Sequence, residues 1–256
     1  SGLTLSQAKK TIGAAVQTAG SGNRTIIVRG AHDGFNGVYV ERVSFGGLSG
    51  AGDTNRLTLV GYGQERPVLD GDNTTYSIIT RGDPSLAYVT VQRLKLQNTQ
   101  ASGVRLGWDV ADDKRDRFFN CIDIWFYACG NNDAFASSGN CYYLNADDGY
   151  VSHCLFERSL GHGVKIGDGA SRCTLEWSVS RENGWWPGKT NFVMSRTVAM
   201  DLPSDRDTAA DNIVRYNIIS GSVSHGLQLR KQANVTVHHN EVVDFGHGPG
   251  MTGSMG

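Results

Sequence analysis

Apolar and polar residues alternate in short runs along most of the chain, and these runs recur at nearly regular intervals. After residue 20 the alternation has a period of two, which is typical of strands that bury one face. Residues 211–244 hold two near copies of one unit, in which Asn217 and Asn240 lie 23 positions apart. This repetition predicts a solenoid, because each turn of chain buries its apolar side only against the next turn.

Four segments share one strand pattern, namely a turn residue followed by an apolar, a free and an apolar position. The first three start 30 residues apart, and the fourth leaves room for two turns of chain with an insertion. No segment after Gly20 has a helical period, which excludes helical and leucine-rich repeats. We therefore predict an all-β parallel β-helix, whose four equivalent strands are 103–106, 133–136, 163–166 and 226–229.

The start of the chain has a different period. Leu5, Ile12 and Val16 have helical spacing, with Thr4 or Ser6 as N-cap and Gly20 as the stop. Such a helix would cover the first open edge of the solenoid. At the other end, glycine-rich residues cannot cover the last coil, so we expect further C-terminal sequence, a partner subunit or a loosely folded tail there. The predicted units are a capping helix (1–22), a parallel β-helix (23–245) and a tail (246–256).

Composition agrees with a turn-rich fold that has one continuous core. The 256 residues include 33 glycines and 5 prolines, with 39% hydrophobic and 19% charged residues. A net charge of −1 gives no indication of nucleic-acid binding, and no apolar run is long enough for membrane insertion. The five cysteines, an odd number without C-x-x-C spacing, are expected to be small buried residues, with one disulfide as an alternative.

The opening coils resemble a known family. Gly37, Tyr39 and Glu41, followed by the segments 61–63 and 67–71, are similar to the first coil of the pectin-lyase-like right-handed β-helix superfamily. This resemblance implies a right-handed parallel β-helix. It leaves the chemistry open, because lyases, hydrolases, esterases, epimerases and phage tailspikes share this opening.

Chemistry is expected on one outer face, where side chains from successive coils meet about 4.8 Å apart. The predicted outward positions there are Arg105, Phe135, Lys165 and Gln228, and the turns before these strands carry His162 and His225. Three predicted insertions beside the face, 107–116, 139–149 and 183–209, supply planar aromatic residues on which sugar rings stack. The aromatic candidates are Tyr143, Trp185 and Trp186.

The sharpest hypothesis is a polysaccharide lyase that cleaves a uronate-containing polymer by β-elimination. Such an enzyme neutralises a carboxylate, removes the neighbouring proton and protonates the leaving oxygen. Cationic and histidine side chains supply these functions, with or without calcium. The predicted catalytic residues are Lys165, Arg230, His162 and His225, and the predicted substrate-binding residues are Trp185, Trp186, Tyr143, Gln228, Lys231, Arg105, Asp133 and Asp168.

A second enzymatic hypothesis is a glycoside hydrolase. The segments 161–163 and 229–231 resemble the glycine-histidine-glycine and arginine-lysine segments of polygalacturonases, and Asp133 with the pair Asp147 and Asp148 resembles their acidic motifs. The resemblance implies two carboxyl groups on successive coils, whereas Asp147 and Asp148 fall in a turn between two strands. That pair is instead a candidate calcium site, or it bonds backbone groups of its own turn.

A third hypothesis is a glycan-binding protein without catalysis, such as a viral tailspike or an adhesin. Such β-helices pack as homotrimers through apolar outer faces, for which Phe135 and the aromatic segment 125–127 are the candidates. In all three hypotheses the partner is a polysaccharide, and an acidic one for the lyase. The expected location is extracellular or, for a spike, the virion surface, although the chain shows no secretion signal.

Overall fold

The fold is described from a computed structural model of the chain. It describes residues 8–32, 34–80, 86–106, 116–130, 139–167, 170–183, 196–201, 209–221, 225–229 and 232–243. These ranges hold one helix, α1 (Ile12–Ala19), and 28 short strands.

In chain order the strands are β1 (Arg24–Val28), β2 (Ala31–His32), β3 (Phe35–Asn36), β4 (Val38–Val40), β5 (Val43–Ser44), β6 (Leu57–Gly61), β7 (Val68–Asp70), β8 (Ser77–Thr80), β9 (Ala87–Gln92), β10 (Lys95–Gln97), β11 (Ser102–Arg105), β12 (Asp116–Ile122), β13 (Trp125–Tyr127), β14 (Asn140–Leu144), β15 (Ala146–Asp147), β16 (Tyr150–Ser152), β17 (Leu155–Glu157), β18 (His162–Gly167), β19 (Thr174–Glu176), β20 (Val179–Arg181), β21 (Arg196–Asp201), β22 (Ala209–Ala210), β23 (Ile213–Arg215), β24 (Ile218–Ser220), β25 (His225–Leu229), β26 (Gln232–Ala233), β27 (Thr236–His238) and β28 (Glu241–Val243).

Three long parallel sheets form the body of the molecule, and each coil contributes one strand to each sheet. Sheet A has the order β1-β6-β9-β12-β16-β19-β23-β27, with β15 also paired to β12. Sheet C has the order β4-β7-β10-β13-β17-β20-β24-β28, and sheet D has the order β5-β8-β11-β14-β18-β21-β25. The predicted parallel β-helix is confirmed. Outside these sheets, β2 pairs with β3 as an antiparallel hairpin, and β22 pairs with β26.

The core is a column of apolar side chains that runs through the middle of all three sheets. Leu59, Val91 and Cys121 lie in register on sheet A and are fully buried, and Leu96, Phe126 and Phe156 repeat this arrangement on sheet C. Stacked Phe126 and Phe156 rings are 4.9 Å apart. The coils therefore share one continuous core, as the composition indicated.

The two copies in the sequence correspond to two adjacent coils. Asn217 and Asn240 lie at the corner where sheet A turns into sheet C, and the Asn217 Nδ2 donates to Asn240 Oδ1 at 2.9 Å. Their amide groups also donate to the carbonyl oxygens of Leu175 and Val214, respectively. In these two coils the asparagine at the turn therefore bonds a backbone carbonyl group of the preceding coil.

The capping helix is shorter than expected. The predicted start at Thr4 or Ser6 is wrong, because α1 begins after Thr11, whose Oγ1 accepts from the Ala14 N–H at 3.2 Å. The Glu41 carboxylate, from the first coil, accepts from two further N–H groups at the helix start. This cap comes from 28 residues away in the chain, so local spacing does not reveal it. The predicted stop at Gly20 is confirmed.

One strand prediction on sheet D is wrong. The 30-residue spacing placed a strand at 133–136, which lies outside the described residues, and treated 139–149 as an inserted loop. In the structure β14 (Asn140–Leu144) pairs with β11 on one side and β18 on the other, so it supplies this strand. Tyr143 therefore replaces Phe135 as the outward residue of the coil. Insertions change the length of a coil without changing the register of its strands. A fixed period of residues therefore selects the wrong segment.

The glycines at the start of the sheet D strands have a packing role. A Cβ atom on Gly103 would lie 2.7 Å from Phe126 Cδ1, and one on Gly226 would lie 2.2 Å from Val242 Cγ1. Both glycines thus let the backbone of sheet D approach side chains of sheet C. The preceding residue, and not the glycine, begins each of these strands.

All five cysteines are buried and unpaired, which confirms the expectation of small buried residues. Cys121 and Cys154, in adjacent coils, have their sulfur atoms 3.9 Å apart. Burial raises the pKa of Cys173 to about 12. The Cys173 thiol is therefore a neutral core group at ordinary pH.

Candidate functional site

The outer face of sheet D brings the predicted site residues into one column. Arg105, Tyr143 and Lys165 pair in direct register on three successive strands. The column continues through Ala199 to Gln228 by backbone register. Since adjacent strands lie about 4.8 Å apart, the Cα atoms of Arg105 and Lys165 are roughly 10 Å apart.

A tyrosine ring lies between the two cations of this column. The Lys165 Nζ is 5.2 Å from the centre of the Tyr143 ring, and the Arg105 Cζ is 5.9 Å from it. Arg105 also lies 4.8 Å from the Tyr76 ring and donates to the Tyr76 hydroxyl. Both cations are within the range of cation–π attraction, which holds them at the face of the sheet. Tyr143, although it points outward, is only 3% exposed.

A second polar column runs along the first residue of each strand. Ser102 and Asn140 pair in register, and Asn140 pairs with His162. The register of β18 and β21 places Arg196 level with His162, and Arg196 pairs with His225. His162 and His225 therefore belong to the same face, as the sequence predicts.

His162 is nearly buried at the edge of this column. Its relative exposure is 9%, and its backbone N–H lies within hydrogen-bonding distance of Gly139 O at 3.0 Å and Asn140 Oδ1 at 3.3 Å. Asn140 thus fixes the start of the strand that carries both His162 and Lys165. Of His225 and Gln228, the structure describes the backbone position alone.

Several predicted site residues cannot be placed. They lie outside the described residues, and their roles remain predictions. These residues are Asp133, Asp168, Trp185, Trp186, Arg230 and Lys231.

The predicted calcium ligands have other partners. Arg172 donates to both carboxylate oxygens of Asp148, at 2.6 and 2.9 Å, and its Nη2 is 3.7 Å from Asp147 Oδ2. Asp147 also accepts from the Ser171 N–H. A guanidinium thus lies where a cation would bind, and the described residues contain no group of three or more acidic, histidine or cysteine ligands. The aspartate pair does not fit a calcium site in this arrangement.

The position of this pair also bears on the hydrolase hypothesis. Asp147 belongs to β15, which pairs with β12 of sheet A, and its partner across the ladder is Arg117. Asp147 and Asp148 therefore connect coils on the side of sheet A, and they do not belong to the column of Lys165. The acidic pair that the resemblance implied for hydrolysis is absent from this column among the described residues.

Sheet A carries a carboxylate of a different kind. Glu176 is buried and accepts from the Tyr150 hydroxyl and from Arg215 Nε, both at 2.6 Å. Burial alone would raise the pKa of Glu176, but the two hydrogen bonds and the charges of Arg215 and His153 lower it below its ordinary value. Glu176 is therefore a charged, fully bonded structural group.

Sequence reasoning missed two contributors to the sheet D site, Tyr76 and Asn140. Tyr76 directly precedes β8, and its ring and hydroxyl contact Arg105. Asn140 was assigned to a loop. The apolar run Cys141 to Leu144 indicated a strand there, but the stronger 30-residue spacing favoured a different segment.

Comparison with known proteins identifies the fold. No known family model matches the sequence, and neither does any curated protein. The structure is similar to that of pectate lyase Pel9A, with a TM-score of 0.60 and 11% sequence identity, covering 89% of this chain and 64% of Pel9A. The chain thus spans 64% of the length of that enzyme. Together with the parallel sheets, this similarity shows the pectin-lyase-like parallel β-helix fold.

Two further solved structures also match. The pectin methylesterase from Aspergillus niger, in deglycosylated form, has a TM-score of 0.48 and 13% identity, covering 94% of this chain and 84% of the enzyme. The alginate lyase from Paenibacillus sp. str. FPU-7 has a TM-score of 0.44 and 14% identity, covering 90% of this chain and 96% of the enzyme. In the described ranges, the eight-residue α1 is too short to cross a bilayer.

Proposed function

We propose that the protein is a polysaccharide lyase that cleaves an acidic, uronate-containing polysaccharide by β-elimination on the outer face of sheet D. The observation that carries this proposal is the column in which Tyr143 lies between Arg105 and Lys165. The two cations are roughly 10 Å apart along the axis of the β-helix. A long polymer that lies along this axis would pass both of them.

In this reaction the uronate carboxylate binds to guanidinium groups, for which Arg105 and Arg230 are the candidates. Its negative charge would otherwise oppose formation of a carbanion at the neighbouring carbon. The Nζ of Lys165 is the candidate base that takes the proton from that carbon. The released electron pair forms a carbon–carbon double bond, the glycosidic carbon–oxygen bond breaks, and the leaving oxygen takes a proton, with His162 and His225 as the candidate donors.

The aromatic residues have a binding role in this proposal. Tyr143 contacts both cations of the column, and Trp185 and Trp186 are the candidate stacking surfaces for sugar rings. The candidates for contact with substrate hydroxyl groups are Gln228, Lys231, Asp133 and Asp168. Because Asp147 and Asp148 bond Arg172 and Ser171, no calcium ion bound to that pair enters the mechanism.

The test is a comparison of Lys165→Ala with Lys95→Ala. Lys95 is a matched control, because its Nζ also lies against an aromatic ring, 4.2 Å from the centre of Trp125, but on sheet C. We expect Lys165→Ala to lower kcat/KM on polygalacturonate or alginate by about 10²- to 10⁴-fold, and Lys95→Ala to leave it unchanged. Activity is followed by the ultraviolet absorbance of the unsaturated product, and folding by circular dichroism.

Other outcomes would replace the proposal. Equal loss of activity in both variants would show a general effect of cation removal. New reducing ends without a double bond would indicate a glycoside hydrolase. Binding of these polymers without any product would indicate a glycan-binding protein, and light scattering would then show whether it is a homotrimer.

The proposed function also defines the setting. Acidic polysaccharides of this kind are extracellular, so we propose that the protein is secreted. The partner is the polymer itself, and nucleic acid is not expected, since the net charge is −1.

A further inference from the structure

One corner of the β-helix carries a column of turn residues that the proposed reaction does not use. Where sheet A turns into sheet C, one residue in each of six successive coils has a positive φ between 50° and 56°. Because the turn repeats, these side chains project from the same corner at successive heights. They are Arg93, Asp123, His153, Trp177, Tyr216 and His239.

In the last three of these coils the turn residue is a ring, and the rings are stacked. Trp177 and Tyr216 are 4.3 Å apart with an angle of 8° between their planes, and Tyr216 and His239 are 5.1 Å apart at 26°. We call these three residues the corner stack. Sheet D takes no part in this corner, so the corner stack is separate from the column of Lys165.

Packing within the protein does not require an indole at this position. Trp177 is 52% exposed, and a bulky side chain is unfavourable at positive φ. Arg93 and Asp123 occupy the same turn in earlier coils, so the turn forms without an aromatic residue. A large exposed ring in a strained conformation is a reason to look for a ligand.

One face of the indole is covered and the other is open. Tyr216 covers the face towards the next coil. In the preceding coil the His153 ring bonds to Ser152 Oγ through Nδ1 at 2.7 Å, and it makes no ring contact with Trp177 within the part of the chain that is described. No ring therefore stacks on that face of the indole among the described residues, and the exposed His153 occupies the equivalent turn in the coil on that side.

The chemistry of this corner fits a sugar ring. The C–H bonds on the flatter face of a pyranose carry partial positive charge, and the face of an indole carries the negative part of its quadrupole. The His153 imidazole, in the coil on the open side of Trp177, offers a hydrogen-bonding ring nitrogen. Arg215, 5.8 Å from the Tyr216 ring, is paired with the carboxylate of Glu176, which also accepts from Tyr150, so this pair adds little net charge to the corner.

We propose that the corner stack is a second saccharide-binding site, at which a pyranose unit of a polysaccharide lies against the open face of Trp177. The site is independent of cleavage. It would hold a polymer on the side of the molecule away from sheet D.

The experiment uses protein labelled with 5-fluorotryptophan and fluorine NMR, with the Trp177 resonance assigned from Trp177→Phe. Oligogalacturonate, oligomannuronate and neutral cellohexaose are titrated separately into the Arg105→Ala, Lys165→Ala double variant, which lacks both cations of the sheet D column. We expect the Trp177 resonance to shift with at least one saccharide, while the resonance of Trp125 on sheet C stays unchanged. A shift with only the two uronates would show that charge contributes, and a shift with cellohexaose would show recognition of the ring.

The affinity is then compared in Trp177→Asn, since asparagine tolerates positive φ and keeps the turn. We expect binding to weaken about threefold to tenfold, the usual contribution of one aromatic contact. An unmoved Trp177 resonance with all three saccharides, or unchanged affinity in Trp177→Asn, would overturn the proposal. A Trp177 resonance that shifts with protein concentration, together with a larger mass in light scattering, would overturn it in favour of a contact between copies of the chain.

Discussion

Sheets C and D are consecutive faces of the same coils, yet the cations on the two sheets have different contact partners. On sheet C, Arg181 donates to the buried Glu157 at 2.6 Å, and the Trp125 indole donates to the same carboxylate. On sheet D, Arg105 and Lys165 lie against the ring of Tyr143. On sheet C a carboxylate pairs with Arg181, while Lys95 lies against the Trp125 ring, and on sheet D the Tyr143 ring contacts both cations.

This difference shows how a solenoid can place stabilising ion pairs on one sheet and candidate binding groups on another. A carboxylate bonded by two donors is satisfied and has little to offer a ligand, whereas contact with a neutral ring does not cancel the charge of a cation. Burial lowers the pKa of Lys95 on sheet C, although the charges of Asp70 and Glu157 oppose this. Sheet C, with its buried carboxylate, is thus a structural surface, and sheet D is the candidate surface for substrate binding.

The largest effect on stability is expected at the corner between sheets A and C. Asn217→Ala removes the acceptor of the Ser178 N–H and the donor to Leu175 O, both in buried backbone. We expect a loss of about 2 to 4 kcal/mol, measured by urea unfolding. Asn240→Ala is the control, because Asn240 is half-buried and water can replace its side chain. A larger loss for Asn240 would contradict this reading of the corner.

The next effect separates the two faces directly. Arg105→Ala should lower kcat/KM about tenfold to a hundredfold, because a charged contact to the substrate carboxylate is lost, while stability falls by less than about 1 kcal/mol. Arg181→Ala should do the opposite, with activity retained and about 1 to 2 kcal/mol of stability lost, since Glu157 keeps only the Trp125 donor. Thermal unfolding and product absorbance measure the two quantities. The same loss in both variants would remove the distinction between the faces.

A smaller effect concerns acid stability on sheet A. The folded pKa of Glu176 is below its ordinary value, because the bonds from Tyr150 and Arg215 outweigh burial. Its contribution to folding is therefore present at neutral pH and above, and it is lost as the pH falls through the folded pKa. Glu176→Gln should be less stable at neutral pH and should lose less stability on acidification than the unchanged protein. Parallel pH–stability curves for the two proteins would contradict this assignment.

The smallest expected change is at the cysteines, which lie between the faces. All five thiols are buried, and burial raises the pKa of Cys173 to about 12. We expect no labelling by iodoacetamide in the folded protein and five labels after unfolding, counted by mass spectrometry. Fewer than five labels in the unfolded, unreduced protein would reveal a disulfide.

The repeats in the sequence are sufficient to predict the fold. Val214 and Val237, placed together by the repeat, pair in register on sheet A, and the placement of Arg105 and Lys165 on one column is correct. These predictions succeed because each coil must bury its apolar residues against the next, so hydrophobic periodicity reports register directly.

The site is less predictable, because its coils have unequal lengths. From Arg105 to Tyr143 the chain advances 38 positions, and from Tyr143 to Lys165 only 22. A constant period therefore predicts Phe135 at the position in the sheet D column that Tyr143 occupies. The role of Tyr76 depends on a contact with Arg105 across coils, and the carboxylates of Asp147 and Asp148 depend on Arg172 from the following coil. Such contacts leave no trace in local spacing.

The register of the three sheets has a mechanical consequence. Every ladder of backbone hydrogen bonds between coils runs along the long axis of the molecule, and each coil contacts its immediate neighbours. A force that pulls the two ends apart would load the bonds of one coil boundary at a time, so the chain would unravel in small successive steps. A force applied across the axis would instead have to shear many bonds together, and the molecule would resist it far more strongly.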